Sequence, residues 1–234
     1  MTSEDKNQND ILRLEIINSL NNRYIFSNKP INRYKNEPKI EDKQNLLQNL
    51  RNEINNIENC QLKSNANKMV FSDGDNQSQL MIIGEGPGQK EDEEGLPFVG
   101  DAGKLLEKML KAINVERNKV YITNVVNYRP PNNRKPETSE ITRYSIFLRK
   151  HISIINPKLL ILMGSTAMES LFGFKIKITK ERGVWKDIII NNKNYKCMIT
   201  FHPAYLLRQP EQKKYSWQDL KNIRKKIDEL NIKI

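Results

Sequence analysis

A short apolar run that ends abruptly in a glycine-rich loop limits what this chain can fold into. Residues 79–83 read Gln-Leu-Met-Ile-Ile, and residues 84–88 follow at once as Gly-Glu-Gly-Pro-Gly. An apolar run of this length, bounded by turn residues, is typical of a buried strand in a parallel sheet. Glycine has no Cβ atom, so the loop can turn sharply and approach a ligand closely. The pattern predicts a strand whose carboxyl end carries a ligand-binding loop.

The same loop excludes two common phosphate-binding motifs. A Walker loop ends in Gly-Lys-Ser/Thr, and no such triplet follows Gly88. A dinucleotide fingerprint needs its third glycine where Pro87 and the acidic run 91–94 stand. Glu85 and Glu91 are therefore candidates for chemistry beside a cleft. An ordinary strand-to-helix connection with solvated acidic side chains is the alternative interpretation of these residues alone.

Strand-like and helix-like segments alternate along the rest of the chain. Strands are expected near 70–71 and at 80–84, 120–126, 158–163, 184–190 and 195–200, with a turn at 72–75. Helices are expected at 41–59, 102–113, 139–155, from 165 onward, and at 216–230. This alternation predicts the α/β class, as a three-layer α/β/α sandwich with a mostly parallel central sheet.

The composition separates an N-terminal extension from the remaining chain. Residues 1–40 are rich in Asn, Lys and Ser, with an amphipathic pattern at 11–20 and a proline-containing linker at 28–38. We expect this extension to be disordered or weakly helical, and residues 41–234 to form one domain. The formal net charge is +11, and residues 1–59 are neutral overall, so the excess lies on that domain. A basic domain favours a nucleic-acid partner, with general lysine enrichment as the alternative.

Cysteine usage and hydropathy point to an intracellular protein. Cys60 and Cys197 are too few for a disulfide framework or a cysteine-rich metal site, and suit a reducing compartment. No apolar run approaches the roughly 18 residues that span a membrane. The N-terminus is polar and acidic, unlike a secretory signal. We expect a cytoplasmic, nucleoid-associated protein of the bacterial type without a membrane partner.

Polar, aromatic and basic side chains follow the predicted strands, where the loops of a parallel sheet meet at one edge. Each of these residues also has an interpretation without function. Phe98 can be a core residue, Asn124 a turn former and His202 an ordinary histidine at the end of a strand. Only their joint order favours a functional site. In chain order, this edge is expected to carry Glu85, Glu91, Phe98, Asn124, the loop Arg129–Lys135 and His202.

Three ordered blocks stand at these positions. They are 84–92 with 95–103, then 121–126 with Arg-Pro-Pro-x-Asn-Arg at 129–134, and Phe-His-Pro-Ala-Tyr-Leu-Leu-Arg-Gln-Pro at 201–210. Together these blocks resemble the motifs of the iron–sulfur (family four) uracil-DNA glycosylases. Residues 178–183 and the Trp-x-Asp-Leu sequence at 217–220 agree as well. The resemblance covers about residues 45–230. Ordered agreement of several blocks is far more specific than any one motif.

The resemblance implies an enzyme that hydrolyses the N-glycosidic bond of uracil in DNA after base flipping and leaves an abasic site. It implies that Phe98 stacks on the uracil ring and that the Asn124 amide reads the pyrimidine edge. Glu85, Glu91 or both would orient the water and stabilise the cationic sugar. His202 would donate a hydrogen bond to the departing base. The implied base pocket also includes Gly86, Pro87 and Asn133.

The resemblance also implies how DNA would be held. Leu206 or Leu207 would fill the gap that the flipped base leaves. The residues expected to neutralise phosphates are Arg129, Arg134, Lys135 and Arg208. The implied partner is uracil-containing DNA, single- or double-stranded, bound by a monomer. Residues 1–40 are a candidate tether for a replication or repair protein.

The chain departs from this family at the iron–sulfur ligands. Cys60 stands at the first ligand position, whereas Lys63, Tyr128 and Tyr144 stand at the other three. One thiolate cannot hold such a cluster, so we expect no cluster, no bound metal and no cofactor, with both tyrosines in the vacated volume. The catalytic-type residues are all retained, which favours an active base excision repair enzyme. The alternatives are an inactive DNA-binding relative and a glycosylase for another deaminated base, such as hypoxanthine or xanthine.

Overall fold

The computed structural model describes residues 42–173 and 177–234. The predicted extension 1–40, with its helical pattern at 11–20, lies outside the described residues. The helices are α1 Lys43–Asn55, α2 Gln61–Asn65, α3 Gln89–Glu94, α4 Asp101–Lys111, α5 Thr138–Ile155, α6 Ser165–Phe172, α7 Ile178–Glu181, α8 Pro203–Arg208 and α9 Lys213–Glu229. The strands are β1 Asp73–Gly74, β2 Leu80–Gly84, β3 Tyr121–Asn124, β4 Leu159–Met163, β5 Trp185–Ile190 and β6 Lys193–Thr200. Within these ranges no helix is both long and apolar enough to cross a bilayer.

The strands form one mixed sheet in the order β1-β3-β2-β4-β6-β5. Strand β2 pairs in parallel with β3 and β4, and β4 pairs in parallel with β6. Strands β1 and β5 are antiparallel to their neighbours and form the two edges. Every residue of β2 and β4 is buried, which explains their uninterrupted apolar sequences. The predicted mostly parallel sheet is confirmed.

Helices cover both faces of this sheet. Successive strand residues point to opposite faces, so Met81 and Ile83 belong to one core cluster and Leu80 and Ile82 to the other. Helices α1, α5 and α6 contribute to the first cluster, and α4 and α9 to the second. Two cores on opposite sides of one sheet make a three-layer α/β/α sandwich, as predicted.

The first edge strand differs from its prediction. Val70, expected in a strand, hydrogen-bonds the loop after β3 instead, through Val70 N to Asn127 O at 2.8 Å and Asn127 Nδ2 to Val70 O at 3.0 Å. Strand β1 lies in the predicted turn, where Gly74 pairs with Tyr121. Gly74 has φ +90°, and a Cβ there would lie 1.8 Å from Val120 O. Glycine therefore permits a pairing that strand propensity argues against.

A buried histidine makes the stability of this core depend on pH. His151 on α5 is 2 % exposed and stacks on Phe71 with 4.6 Å between ring centroids. Its Nε2 shares a 2.6 Å hydrogen bond with the Tyr121 hydroxyl. Burial lowers the pKa of His151 from 6.5 to about 3. Between these two pKa values the unfolded chain binds a proton at His151 that the folded chain does not. The contribution of neutral His151 to the free energy of unfolding is therefore fully present above pH 6.5 and is lost as the pH falls toward 3.

We predict that acidification from pH 6.5 to 4 lowers the free energy of unfolding, with His151 contributing about 1.4 kcal/mol per pH unit. His151→Gln keeps a hydrogen-bonding side chain that does not ionise in this range, so this variant should lose that share of the slope. Urea unfolding at stepped pH measures both proteins. Equal slopes for the two proteins would show that His151 does not govern acid sensitivity.

Candidate active site

Loops that follow β2, β3 and β6 meet in one pocket of about 330 Å³ at the carboxyl edge of the sheet. It is lined by Glu85, Gly86, Pro87, Gly88, Glu91, Phe98, Ala102, Asn124, Pro130, Asn133, Arg134, Pro136, His202, Ala204, Tyr205 and Arg208. Every residue predicted for catalysis or base binding is in this set. Of the residues predicted to contact DNA, Arg129, Lys135, Leu206 and Leu207 are not.

Close packing at Gly84 brings the predicted base-binding residues together. Gly84, the last residue of β2, pairs with Asn124, the last residue of β3. A Cβ at Gly84 would lie 2.4 Å from Asn124 Oδ1 and 2.6 Å from the Phe98 ring. Asn124 is 4 % exposed, and no described residue hydrogen-bonds its side-chain amide. A buried amide that lines a pocket without a protein partner is available to a ligand.

His202 has a defined tautomer and charge. It is the N-cap of α8, and its Nδ1 accepts a hydrogen bond from Ala204 N at 3.2 Å. The ring proton is therefore assigned to Nε2, which can donate to a bound group. Burial, with a smaller effect of the Arg208 charge, lowers the pKa of His202 to about 4. The imidazole is neutral at physiological pH. Its ring stacks on Phe98 with 5.4 Å between centroids and 27° between planes.

A buried ion pair anchors the strand that leads to His202. The Thr200 hydroxyl, at the end of β6, donates to Asp219 Oδ2 at 2.8 Å. Asp219 is 1 % exposed and is also bound by the Arg182 guanidinium. Burial raises the pKa of Asp219, against the opposing effects of Thr200 and Arg182. Arg182 and Asp219 belong to the segments 178–183 and 217–220 that agree with the family. Their contacts hold the end of β6 against α9.

The two candidate glutamates have different surroundings. Glu91 Oε1 accepts from Val99 N at 3.0 Å and Gly100 N at 2.8 Å, and Oε2 accepts from Gly88 N at 3.2 Å. These bonds brace the loop after β2 against the start of α4. Glu85 Oε2 accepts from the Thr166 hydroxyl at 2.5 Å. Among the described residues Glu85 Oε1 has no partner. Of the two carboxylates, Glu85 is therefore the better placed to hold a ligand.

Thr166 is a site residue that sequence reasoning missed. It is fully buried at the start of α6, directly after the loop that ends β4. Gly164 in that loop has φ +93°, and a Cβ there would lie 3.3 Å from His202 Cβ. The signal available in the sequence was position alone, because loops after adjacent parallel strands share one edge. Its contact with Glu85 depends on tertiary structure.

The four basic residues predicted to contact phosphates fall into two groups. Arg134 is bound by both Glu140 oxygens, at 2.8 and 2.7 Å, and Lys135 lies 3.2 Å from Glu169. The charges of these two therefore have carboxylate partners that the sequence did not reveal. In the described part of the chain, Arg129 and Arg208 have no ion-pair partner. Arg129 Nε donates to Asn133 Oδ1 at 2.8 Å, which fixes the Arg-Pro-Pro loop.

The two leucines expected to fill the gap left by a flipped base differ in exposure. Leu206 is 1 % exposed and belongs to the core cluster of α4 and α9. Leu207, the next residue of α8, is 44 % exposed. Leu206 would have to leave the core to contact DNA, whereas the exposed Leu207 would not.

The residues that the resemblance assigns to cluster-ligand positions contact other protein groups. Cys60 Sγ lies 3.4 Å from the Tyr144 hydroxyl, and the Tyr128 hydroxyl donates to Asn55 Oδ1 at 3.3 Å. Tyr144 and Tyr128 are 1 % and 4 % exposed, and the Lys63 ammonium donates to Asn55 O. Burial raises the pKa of both tyrosines, so the phenols remain protonated. This donor set, with one thiol, does not suit an iron–sulfur cluster. No group of three His, Cys, Asp or Glu side chains in residues 42–173 and 177–234 is arranged to hold a metal ion.

The region of this chain that matches known proteins includes the whole pocket. The family model of the uracil DNA glycosylase superfamily matches residues 71–221. The type-4 uracil-DNA glycosylase of Sulfurisphaera tokodaii is 40 % identical over 186 residues, 76 % of this chain and 83 % of that protein. The Thermotoga maritima type-4 enzyme is 43 % identical over 150 residues, 64 % and 77 % of the two chains. That of Archaeoglobus fulgidus is 33 % identical over 181 residues, 76 % and 91 %.

The matched region includes every residue that lines the pocket, from the loop after β2 to α8. It also includes the whole parallel part of the sheet. The chain belongs to the uracil DNA glycosylase superfamily.

Proposed function

We propose that this protein excises uracil from DNA, hydrolysing the N-glycosidic bond of a flipped deoxyuridine as a step of base excision repair. The observation that carries the proposal is the convergence of Phe98, Asn124, His202 and Glu85 on one pocket. The similarity to type-4 uracil-DNA glycosylases supports it. Within the superfamily, we assign the chain to this type, with three of the four cluster positions replaced.

Base recognition follows from the Asn124 amide. Uracil presents a ring N–H donor beside a carbonyl acceptor, which match the amide oxygen and nitrogen. Cytosine presents the reverse pattern at the same edge, so a fixed amide would face it donor to donor and acceptor to acceptor. Each buried group left unpaired in this way costs about 1–3 kcal/mol. The Phe98 ring supplies a stacking surface for either pyrimidine and does not discriminate between them.

Bond cleavage follows from Glu85 and His202. As the bond between the sugar and the base breaks, its electron pair goes to uracil and positive charge develops on the sugar. The neutral His202 imidazole donates its Nε2 proton in a hydrogen bond to the departing anion. The Glu85 carboxylate stabilises the cationic sugar, orients the water that adds to it and takes up the proton that this water loses. Glu91 shapes the loop through its three backbone hydrogen bonds.

DNA would be held around the mouth of the pocket. Arg129 and Arg208 are the cations best placed to contact phosphates, and Leu207 is the wedge that replaces the flipped base. We propose that the protein acts as a cytoplasmic monomer on single- or double-stranded DNA. We further propose that residues 1–40 bind a replication or repair protein.

The purified protein should release uracil from an oligonucleotide, detected as alkali cleavage at the abasic site. Glu85→Ala and His202→Ala should each lower the rate by about 10²–10⁴-fold, because each removes a group that acts on the transition state. Glu94→Ala, in the same acidic run but outside the pocket, is the control and should retain activity. Folded wild-type protein that binds this DNA without cleaving it would be a binding relative. Cleavage at hypoxanthine or xanthine alone would identify another base specificity.

The Thr166 hydroxyl is expected to orient Glu85. Thr166→Val keeps the side-chain shape and removes the hydrogen bond, so kcat should fall by about tenfold with little change in KM. Thr166→Ser should restore most of the rate. Thr123→Val, which removes a buried hydroxyl bonded to Phe71 O at 2.7 Å, controls for loss of stability. A rate for Thr166→Val equal to that of Thr123→Val would refute the orienting role.

We propose that the protein folds and acts without an iron–sulfur cluster, with Tyr128 and Tyr144 in the volume that the cluster takes in the family. The hydrogen bond between Cys60 and Tyr144 supports this proposal. The purified protein should contain no iron and show no broad visible absorption band. Cys60→Ala should leave uracil excision unchanged. Stoichiometric iron in the wild type that Cys60→Ala loses would contradict the proposal.

A further inference from the structure

Phe98 occupies an unfavourable backbone conformation. Its φ is +53°, in the left-handed region that a bulky side chain rarely adopts. Phe98 is nevertheless only 5 % exposed, and its ring stacks against that of His202. Such a conformation persists only where surrounding contacts determine it. The contacts that hold the peptide of Phe98 therefore decide whether the stacking surface of the pocket exists.

Arg117 makes these contacts from outside the pocket. It begins a short 3₁₀ turn before β3. Its Nη1 donates to Phe98 O at 2.9 Å and its Nη2 to Pro97 O at 2.6 Å. Its Nε donates to Asp73 Oδ2 at 2.9 Å, and Glu107 lies 3.6 Å from Nη1. The planar guanidinium fork thus spans two successive carbonyls while a carboxylate on β1 fixes its orientation.

The Phe98 carbonyl is also in contact with α4. A Cβ at Gly103 would lie 1.8 Å from Phe98 O and 2.9 Å from Phe98 Cα, so glycine is required for this approach. The peptide is therefore held by α4 and by Arg117 together. Arg117 itself does not line the pocket but a separate surface cavity of about 930 Å³. It cannot touch a base bound in the pocket.

We infer that Arg117 is the positioning residue for the base-stacking Phe98, a role that rests on the proposed uracil excision. Its guanidinium fixes the left-handed peptide, and this holds the ring over Gly84 and beside His202. Without the fork, the Phe98 peptide can return to a common backbone conformation, and the ring leaves its place. The effect is specific to steps that involve a base in the pocket.

The chain offers a matched control in Arg224. Arg224 Nη1 donates to Ile113 O at 3.2 Å and lies 3.5 Å from Asn114 O, and the guanidinium pairs with Asp228. Like Arg117, it therefore joins backbone carbonyls to a carboxylate, but it makes no contact with Phe98. Arg117→Lys and Arg224→Lys each retain the charge and remove the fork.

The experiment compares these two variants by thermal unfolding, by kcat/KM on a uracil oligonucleotide and by affinity for the abasic-site product. We expect Arg117→Lys to lower kcat/KM by about tenfold, the effect of losing hydrogen bonds that place a group. Affinity for abasic DNA, which has no base to stack, should stay within about twofold of the wild type. Arg224→Lys should change neither quantity. Equal loss in both variants, or an equal loss of abasic-site affinity in Arg117→Lys, would overturn the inference.

A double-mutant cycle separates positioning from general destabilisation. In a Phe98→Leu background the ring that Arg117 places is gone, so Arg117→Lys should cause no further loss of kcat/KM. Additive losses would show that Arg117 acts independently of Phe98 and would reject the proposal. Absence of uracil excision in the wild type is a different result, because it would refute the proposed function itself.

Discussion

The parallel pairing of β2 with β3 is the constraint on which the site depends. It places Gly84 opposite Asn124, and Val125 N and Val126 N continue the pairing to Gly84 O and Glu85 O at 3.0 and 3.2 Å. The backbone of the loop after β2 is thereby fixed to the end of the neighbouring strand. The absence of a side chain at Gly84 then lets the amide and the aromatic ring meet above the sheet. A shift of one residue would turn Asn124 to the opposite face.

Glu85 and Glu91 are similar carboxylates that differ in the hydrogen bonds they accept. Glu91 lies in the first turn of α3 and accepts three backbone hydrogen bonds, so its charge is used to close a loop. Glu85 has one hydroxyl donor and otherwise faces the pocket. A carboxylate has about four acceptor sites, so Glu91 has fewer left for water and substrate than Glu85. These contacts support Glu85 as the water-holding carboxylate of the proposed reaction, a choice that residue type and spacing alone left open.

The sequence predicted what depends on local pattern. The bounds of β2 agree with the prediction, and the parallel sheet followed from the alternation of strands and helices. Helices α3 and α8 were missed, because six polar residues and a segment beginning His-Pro carry no helical apolar period. Arg117 and Thr166 were missed for a different reason. Their partners lie 19 and 81 residues away in the chain, and only the folded sheet brings them together.

Tertiary contacts also support the proposal that this family member folds without an iron–sulfur cluster. The four positions that the resemblance assigns to cluster ligands lie in the loop before α2, on α2, after β3 and on α5. The buried phenol of Tyr144 hydrogen-bonds with Cys60, and that of Tyr128 donates to Asn55. Arg143 adds bonds from α5 to Asn59 O at 2.8 Å and to Glu58 O, beside Cys60. On this proposal, hydrogen bonds and side-chain packing take the place of metal–thiolate bonds. None of these contacts involves a residue that lines the pocket, so the proposed absence of a cluster leaves the pocket lining unchanged.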